Sequence, residues 1–306
     1  MSTYFNTEIG RALLTRGAYG MAQPHIAPSY LYTMRVPRLG EDFERHIDSL
    51  VVQAYKCEER GKALYAEAKA LLLAELGLDD LDLSHQPTYT RNFSETWAAG
   101  RLDAEFYEPR YYTLLDRIRN SPYGAAPLLS KARYIREYAD IDPAKSYRYI
   151  ELADINQSIG TVEKASEYRG DKLPSRARLL LKSGDVVISS VQGSLDKVAL
   201  IPEHLDGALG STGFFQFRPL EYPAEVLLVL LSSKPMQLQF HRHARGAILM
   251  ATAASSLEDI FVPEVPDSLQ EKITELVRKS HSSYDEAKRL LEEAKRRVEE
   301  MVLGEE

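Results

Sequence analysis

An α+β fold is what this 306-residue sequence predicts: a mixed module of several short strands, flanked by two long helices that pair as an antiparallel coiled coil. Three observations carry that expectation. Charged segments near both ends set small and apolar residues at alternating steps of four and three, the period of a helical seam. The middle of the chain breaks instead into short apolar runs separated by glycine-containing turns. The two charged segments also match each other at a fixed offset, as duplicated structural units do.

The first long helix carries its seam on Phe43, Ile47, Leu50, Ala54, Cys57, Gly61, Leu64, Ala68 and Leu71. It stops near "LGLDDLDL", where Gly77 and the acidic Asp79, Asp80 and Asp82 make a cap and a solvated loop. Next, "EPRYYTLLDRIRN" (108–120) has helical spacing. The stretches "YRYIEL" (147–152), "RLLLK" (178–182), "DVVISSV" (185–191), "VALIP" (198–202) and "GFFQFRP" (213–219) read as strands, and "PAEVLLVLLSS" and "MQLQFHRHARG" as two helices. The second long helix places Ile273, Val277, Ser280, Tyr284, Ala287, Leu291, Ala294, Val298 and Met301 on its seam. Each long helix spans nearly 40 residues, roughly 60 Å at 1.5 Å per residue. Neither can bury such a seam alone, and the alanines and glycine on it favour close approach of two helix backbones.

The repeat is anchored by two "VP" landmarks, Val36-Pro37 and Val262-Pro263, at an offset of 226 residues. Without a gap, nine of the 36 positions in 37–72 are identical to their counterparts, among them Ile47/Ile273, Val51/Val277, Leu64/Leu290 and Ala68/Ala294. The stretch "GAILMATAASSLEDIFVPEV" (246–265) leads into the second helix. A looser version, "GAYGMAQPHIAPSYLYTMRVPRL" (17–39), leads into the first. Two unrelated amphipathic helices could share Ala, Glu, Lys and Leu by chance, but not the preceding glycine, the VP dipeptide and the same spacing from Pro to the first Ile.

Composition is that of an ordinary globular chain, 44% hydrophobic and 27% charged. The longest aliphatic run, Val226 to Leu231, is far short of a bilayer span, and the N-terminus lacks a basic stretch followed by an apolar one, so a cytoplasmic location and no membrane partner are expected. One cysteine, Cys57, excludes an internal disulfide framework and a cysteine-rich zinc site; its simplest role is a small apolar helix residue. The net charge of −7 argues against a uniformly basic surface, yet the surplus acid sits at the ends. Residues 1–86 carry 9 basic and 12 acidic side chains, residues 263–306 carry 8 and 12, and the middle carries 21 of each. A neutral middle leaves room for one basic face.

No catalytic constellation, cofactor loop or metal-ligand spacing emerges. The only Gly-Lys pair, Gly61-Lys62, lies inside a helix without the earlier glycine of a phosphate-binding loop. None of the asparagines precedes the Pro-Pro of an adenine methyltransferase, and Gln192-Gly193-Ser194 lacks the glycine two before a nucleophilic serine. The "HRH" of 241–243 puts its histidines on alternate residues, which point apart on a helix, so a solvated or phosphate-facing role is expected over metal binding. No catalytic residue, metal or cofactor is therefore assigned.

What remains is a surface suited to recognition. "YRGDKLPSRARLLLKSGD" gathers Arg169, Lys172, Arg176, Arg178 and Lys182 around a proline loop, and "SSVQGSLDK" follows with Ser189, Ser190, Gln192, Ser194 and Lys197. Arg242, His243 and Arg245 cluster further on. Cations of this kind hold phosphates or read guanine edges, and glutamine can pair with an adenine edge, so the loops suit a DNA groove. A solvated basic loop with no partner would use the same residues.

The layout resembles the specificity subunit of type I restriction-modification systems, in which two target-recognition domains alternate with two long, similar helices. The family's domain ending is matched by Gly246, "LEDIFVP" (257–263) and "QEKI" (270–273); Gly184–Ser189, "TGF" (212–214) and "FSETWAAGRLDAEFYEPRY" (93–111) also resemble its recognition domain. The resemblance implies a remnant tail of a first recognition domain at 1–36, a spacer helix and loop at 37–86, one target-recognition domain at 87–262 and a second spacer helix at 263–306. A complete subunit would place about 150 further residues before Gly17, so one complete half-site reader is expected in place of two. By the same resemblance the chain would be a non-catalytic subunit that directs the adenine methyltransferase and endonuclease complex to a bipartite site on double-stranded DNA. Its partners would be methyltransferase (M) subunits, restriction (R) subunits, and a second copy or a separately encoded half-subunit. The residues expected at DNA are Lys172, Arg176, Arg178, Gln192 and Lys197, with Arg242 and Arg245 on phosphates. Two other readings fit the helices: a coiled-coil protein-assembly adaptor, and the recognition tail of a fused methyltransferase-nuclease.

Overall fold

The computed structural model describes residues 1–20, 24–246 and 250–304. The elements that position the site are, in chain order, helices α1 (Glu41–Glu75), α2 (Pro109–Arg119), α3 (Ala224–Ser232), α4 (Lys234–His243) and α5 (Asp267–Leu303). The strands are β1 (Ala132–Ile135), β2 (Ser146–Ile150), β3 (Ser166–Arg169), β4 (Ala177–Leu180), β5 (Val186–Ser189), β6 (Val198–Leu200), β7 (Leu209–Ser211) and β8 (Phe214–Pro219). The chain forms two compact units, Met1–Ala63 with Ser280–Glu306, and Leu64–Lys279, and each takes part of both long helices.

In the first unit α1 and α5 pack side by side and run antiparallel. Ile47 and Val51 of α1 share an apolar cluster with Ala294 and Val298 of α5, and Tyr4, Ile9 and Leu13 of the N-terminal segment cover it. One heptad and more along, the Ser280 hydroxyl donates to the Gly61 carbonyl at 2.7 Å. The helices approach closely at this point because glycine has no side chain: a Cβ on Gly61 would lie 3.0 Å from the Ser280 carbonyl oxygen. Near the other end, His46 and Arg297 meet at 2.9 Å. Before α1, helix Glu8–Arg16 starts at Thr7, whose hydroxyl accepts from the Gly10 amide.

The seam departs from the expected one at two positions. Leu291 and Met301 are 39% and 47% exposed, and the buried neighbours are Leu290 and, in part, Val302. Leu64 and Leu71 are part-buried as expected, with the fully buried Tyr65 and Leu72 beside them. A strict seven-residue repeat demands a supercoil, whereas a straight helix drifts by about 20° per heptad. The buried positions from Ile273 to Val302 advance by about 3.6 residues per step, the period of a straight helix.

The second unit carries two four-stranded sheets. One has the order β6-β5-β8-β1, antiparallel throughout; the other has the order β3-β2-β7-β4, with β2 and β7 parallel. One core joins them, drawing Ile150 and Leu179 from the second sheet and Val187, Ala199 and Phe214 from the first. All four residues of β5 are buried, as a strand covered on both faces requires, while β4 alternates buried Ala177 and Leu179 with exposed Arg178. Helix α3 is apolar from Val226 to Leu231 and is buried from Glu225 to Leu231. The five strands expected from sequence correspond to β2, β4, β5, β6 and β8. The short strands β1, β3 and β7 were not foreseen.

Asp185, in the turn before β5, shows what the "SGDVVIS" stretch does. Its carboxylate is 1% exposed and accepts from Gln216 Nε2 at 2.6 Å and from Arg218 Nε and Nη2 at 2.8 and 3.0 Å, pinning β8 to the turn. The domain-ending "LEDIFVP" is equally built in. Leu257, Ile260 and Val262 are fully buried, and Phe261–Pro263 pairs antiparallel with Ala125–Pro127. The Gln239 amide on α4 extends this pairing, donating to the Phe261 carbonyl at 2.8 Å and accepting from its N–H at 3.0 Å. Residues 247–249 of this stretch, and 21–23 of its N-terminal counterpart, lie outside the described residues.

Candidate nucleic-acid interface

The seven residues expected at DNA fall on three segments. Lys172, Arg176 and Arg178 lie on and before β4, Gln192 and Lys197 on the β5–β6 connection, and Arg242 and Arg245 at the end of α4. The turn 212–213 joins the first two groups. Its Thr212 N–H donates to the Arg176 carbonyl at 2.9 Å, and its Gly213 carbonyl accepts from the Ser190 N–H at 2.8 Å and the Ser190 hydroxyl at 2.9 Å. The third group is joined through His241, whose Nε2 lies 2.6 Å from Gln192 Nε2. Arg176, Gln192 and the end of α4 thus come together around the "TGF" turn.

Within this arrangement the candidates differ in freedom. Lys172, Arg176, Arg178 and Arg245 are exposed, and the Arg178 guanidinium makes one bond, Nε to the Ser175 carbonyl at 3.1 Å. Lys197 is half-buried, with Nζ donating to the Ile155 carbonyl at 3.2 Å and to the Gln157 side chain. Arg242 is more committed: its guanidinium stacks on Phe106 at 4.3 Å and Tyr112 at 5.0 Å, and Nε donates to the Phe106 carbonyl at 3.2 Å. Burial lowers its pKa from the usual arginine value. The serines of "SSVQGS" brace their own loop, since Ser189 Oγ bonds Ser194 Oγ at 2.8 Å and accepts from the Val191 N–H at 3.0 Å.

The opening stretch "FSETWAAGRLDAEFYEPRY" supplies the frame under α4. Arg101 is 7% exposed, pairs with both carboxylate oxygens of Asp103, and donates to the Ala244 carbonyl at 3.3 Å, a cation at a helix C-terminus where the exposed carbonyls favour one. Phe106 packs edge-on against His243 at 5.6 Å between centroids. The solvated role expected for "HRH" is therefore corrected. His243 is buried, and burial, with Arg242 beside it, lowers its pKa to about 4. His241 is half-buried and bonded at both ring nitrogens. Sequence reading missed Arg101, Tyr111 and His241 as parts of this site; the only signal was that "HRH" closes a helix adjoining a basic cluster. Among the described residues no cluster of His, Cys, Asp or Glu could hold a metal ion, and no helix is long and apolar enough to cross a membrane.

In structure, the chain is similar to specificity subunits of type I restriction-modification systems. The HsdS subunit from Thermoanaerobacter tengcongensis aligns with a TM-score of 0.44 and 25% identity over 50% of this chain and 41% of that one. A chain from a structure of type I R-M complex assembly and conformational transition aligns with 0.41 and 26% over 59% and 49%. The S subunit from M. genitalium aligns with 0.46 and 14% over 94% and 67%. The chain thus spans under half the length of the first two. No protein-family model and no curated protein matches it.

Proposed function

We propose that this chain is a non-catalytic, sequence-specific DNA-recognition subunit that directs a type I restriction-modification complex to a bipartite target, with the module at 87–262 reading one half-site. The observation that carries this reading is the convergence of Arg176, Gln192 and the Arg242–Arg245 segment around the 212–213 turn. A glutamine amide flanked by exposed cations is the combination that reads a base edge while neighbouring phosphates are held. The paired helices fit the reading as spacers: α1 and α5, of 35 and 37 residues, are each roughly 50–55 Å long at 1.5 Å per residue. Their exposed acidic side chains suit a protein-facing surface, for methyltransferase and restriction subunits, and a second copy or separately encoded half-subunit would supply the other half-site. A cytoplasmic location follows from the same reading.

The experiment that tests it is methylome sequencing of cells expressing this chain with its cognate methyltransferase. A bipartite methylated motif is expected. A palindromic motif would mean that two copies of this chain read the two halves, and the absence of any motif would overturn the proposal.

A further inference from the structure

The Gln192 side chain does not stand free in its loop. It ends a chain of side-chain contacts that begins in the core. The Glu108 carboxylate, 3% exposed, holds Arg110 Nε at 2.8 Å; Arg110 Nη2 donates to Tyr111 Oη at 3.2 Å; Tyr111 Oη meets His241 Nδ1 at 2.6 Å; and His241 Nε2 meets Gln192 Nε2 at 2.6 Å. From its backbone side Gln192 is fixed as well, its N–H donating to the Met250 carbonyl at 2.9 Å.

We propose that His241 is a positioning residue for Gln192, orienting the amide so that its carbonyl oxygen and second N–H face outward as an adenine-reading pair. This rests on the DNA-reading function proposed above and deepens it. A primary amide has two N–H donors and one carbonyl acceptor. In the proposed arrangement the neutral ring carries its proton on Nδ1, donated to Tyr111 Oη, so that Nε2 is the bare acceptor; with one amide N–H bound there, the other N–H and Oε1 are left side by side. They match the N7 acceptor and N6 amino donor that adenine presents in the major groove. A glutamine free to rotate would present the reverse order equally well, and the ring removes that freedom.

The ring can accept only when neutral. Burial, followed by the Arg110 charge, lowers its pKa from the usual histidine value. The charged groups facing it are Arg110, Glu105 and Glu108 from α2 and the segment before it, and Lys234 from its own helix; Tyr111 is the titratable hydroxyl in contact. Protonation would put a second N–H opposite the amide N–H, forcing the amide to turn and spend Oε1 on the ring.

The test uses the full chain and a randomised DNA duplex library, comparing wild type, Gln192→Ala and His241→Phe, with folding checked by denaturation. At pH 8 the wild type is expected to prefer adenine on the order of tenfold at one position. Both variants should lose that preference while keeping the rest of the motif. Lowering the pH through the ring's own titration, followed by NMR of its Cε1 proton, should abolish the same preference in the wild type, and this arm needs no variant. Retention of the preference by His241→Phe, or by wild type with the ring protonated, overturns the assignment alone. So does loss of every position alike in a folded variant, or a base other than adenine at the Gln192 position. A library left unenriched by wild type overturns the DNA-reading function and the assignment with it.

Discussion

Asp185 holds a buried carboxylate in place with three strong bonds, and removing it strands its partners. In Asp185→Ala the Gln216 amide, fully buried, would keep only its 3.0 Å bond to the Leu180 carbonyl, and Arg218 would lose both of its bonds. The expected cost is about 2–4 kcal/mol, read as a lower urea midpoint. His243 makes the opposite case, a group kept neutral by its surroundings. Its ring ionises near 6.5 in the unfolded chain and near about 4 when folded, so as pH falls the unfolded chain takes up the proton first. Its contribution is fully present above pH 6.5 and declines between 6.5 and about 4, by on the order of 2–3 kcal/mol. His243→Phe should flatten that part of the profile of stability against pH relative to wild type. Sequence could supply the residue types "HRH" and "SGD" but not these roles, because the groups that decide them, Phe106, Gln216 and Arg218, are remote in the chain.

At the scale of elements, periodicity exposed both long helices and left their phase unsettled. The seam positions up to Gly61 in α1, and from Ile273 to Ala287 in α5, are buried or part-buried as spacing predicts. Beyond them, Ala68, Ala294 and Val298 stay buried on the seam, Leu64 and Leu71 are part-buried, and only Leu291 and Met301 yield their place to a neighbour. Short polar strands such as β3 gave little apolar alternation to read: Glu167 and Arg169 are exposed, Tyr168 alone brings a large side chain to the cluster around Tyr149, and pairing with β2 supplies the rest. The duplication has a packing consequence. Val51 and Ala294 share one cluster in the first unit, and their repeat counterparts, Val277 and Ala68, are both fully buried in the second. The repeated positions are therefore buried in both units. Within the first unit Gly61 sets the approach of α1 to α5, and Gly61→Leu has to push against the Ser280 backbone. A loss of about 2–3 kcal/mol in thermal or urea denaturation is expected. Gly61→Ala should be far milder, because alanine's helix preference of about 1 kcal/mol offsets a contact of 3.0 Å.

Across the whole molecule, a net charge of −7, with its acid surplus in the terminal segments, supplies little general attraction for DNA. On the proposed function, affinity has to come from local cations, and the exposed candidates among the expected residues are Lys172, Arg176, Arg178 and Arg245. Their types were legible in the sequence. Their placement was not, because the contacts that tie the Arg176 backbone to the 212–213 turn and Gln192 to His241 join segments remote in the chain. Each phosphate contact contributes about −0.9 to the slope of log affinity against log salt, so these four imply a slope between about −3 and −4. Raising salt from about 50 to about 200 mM should weaken binding to duplex DNA on the order of a hundredfold. Arg178→Glu should cost about 1–3 kcal/mol and make the slope shallower by about one, measured by fluorescence anisotropy at matched salt. Wild-type affinity in that variant would remove Arg178 from the interface. An assembly adaptor built on the same paired helices would instead bind duplex weakly at every salt concentration, so a flat wild-type titration would favour a protein-facing role for the strand module.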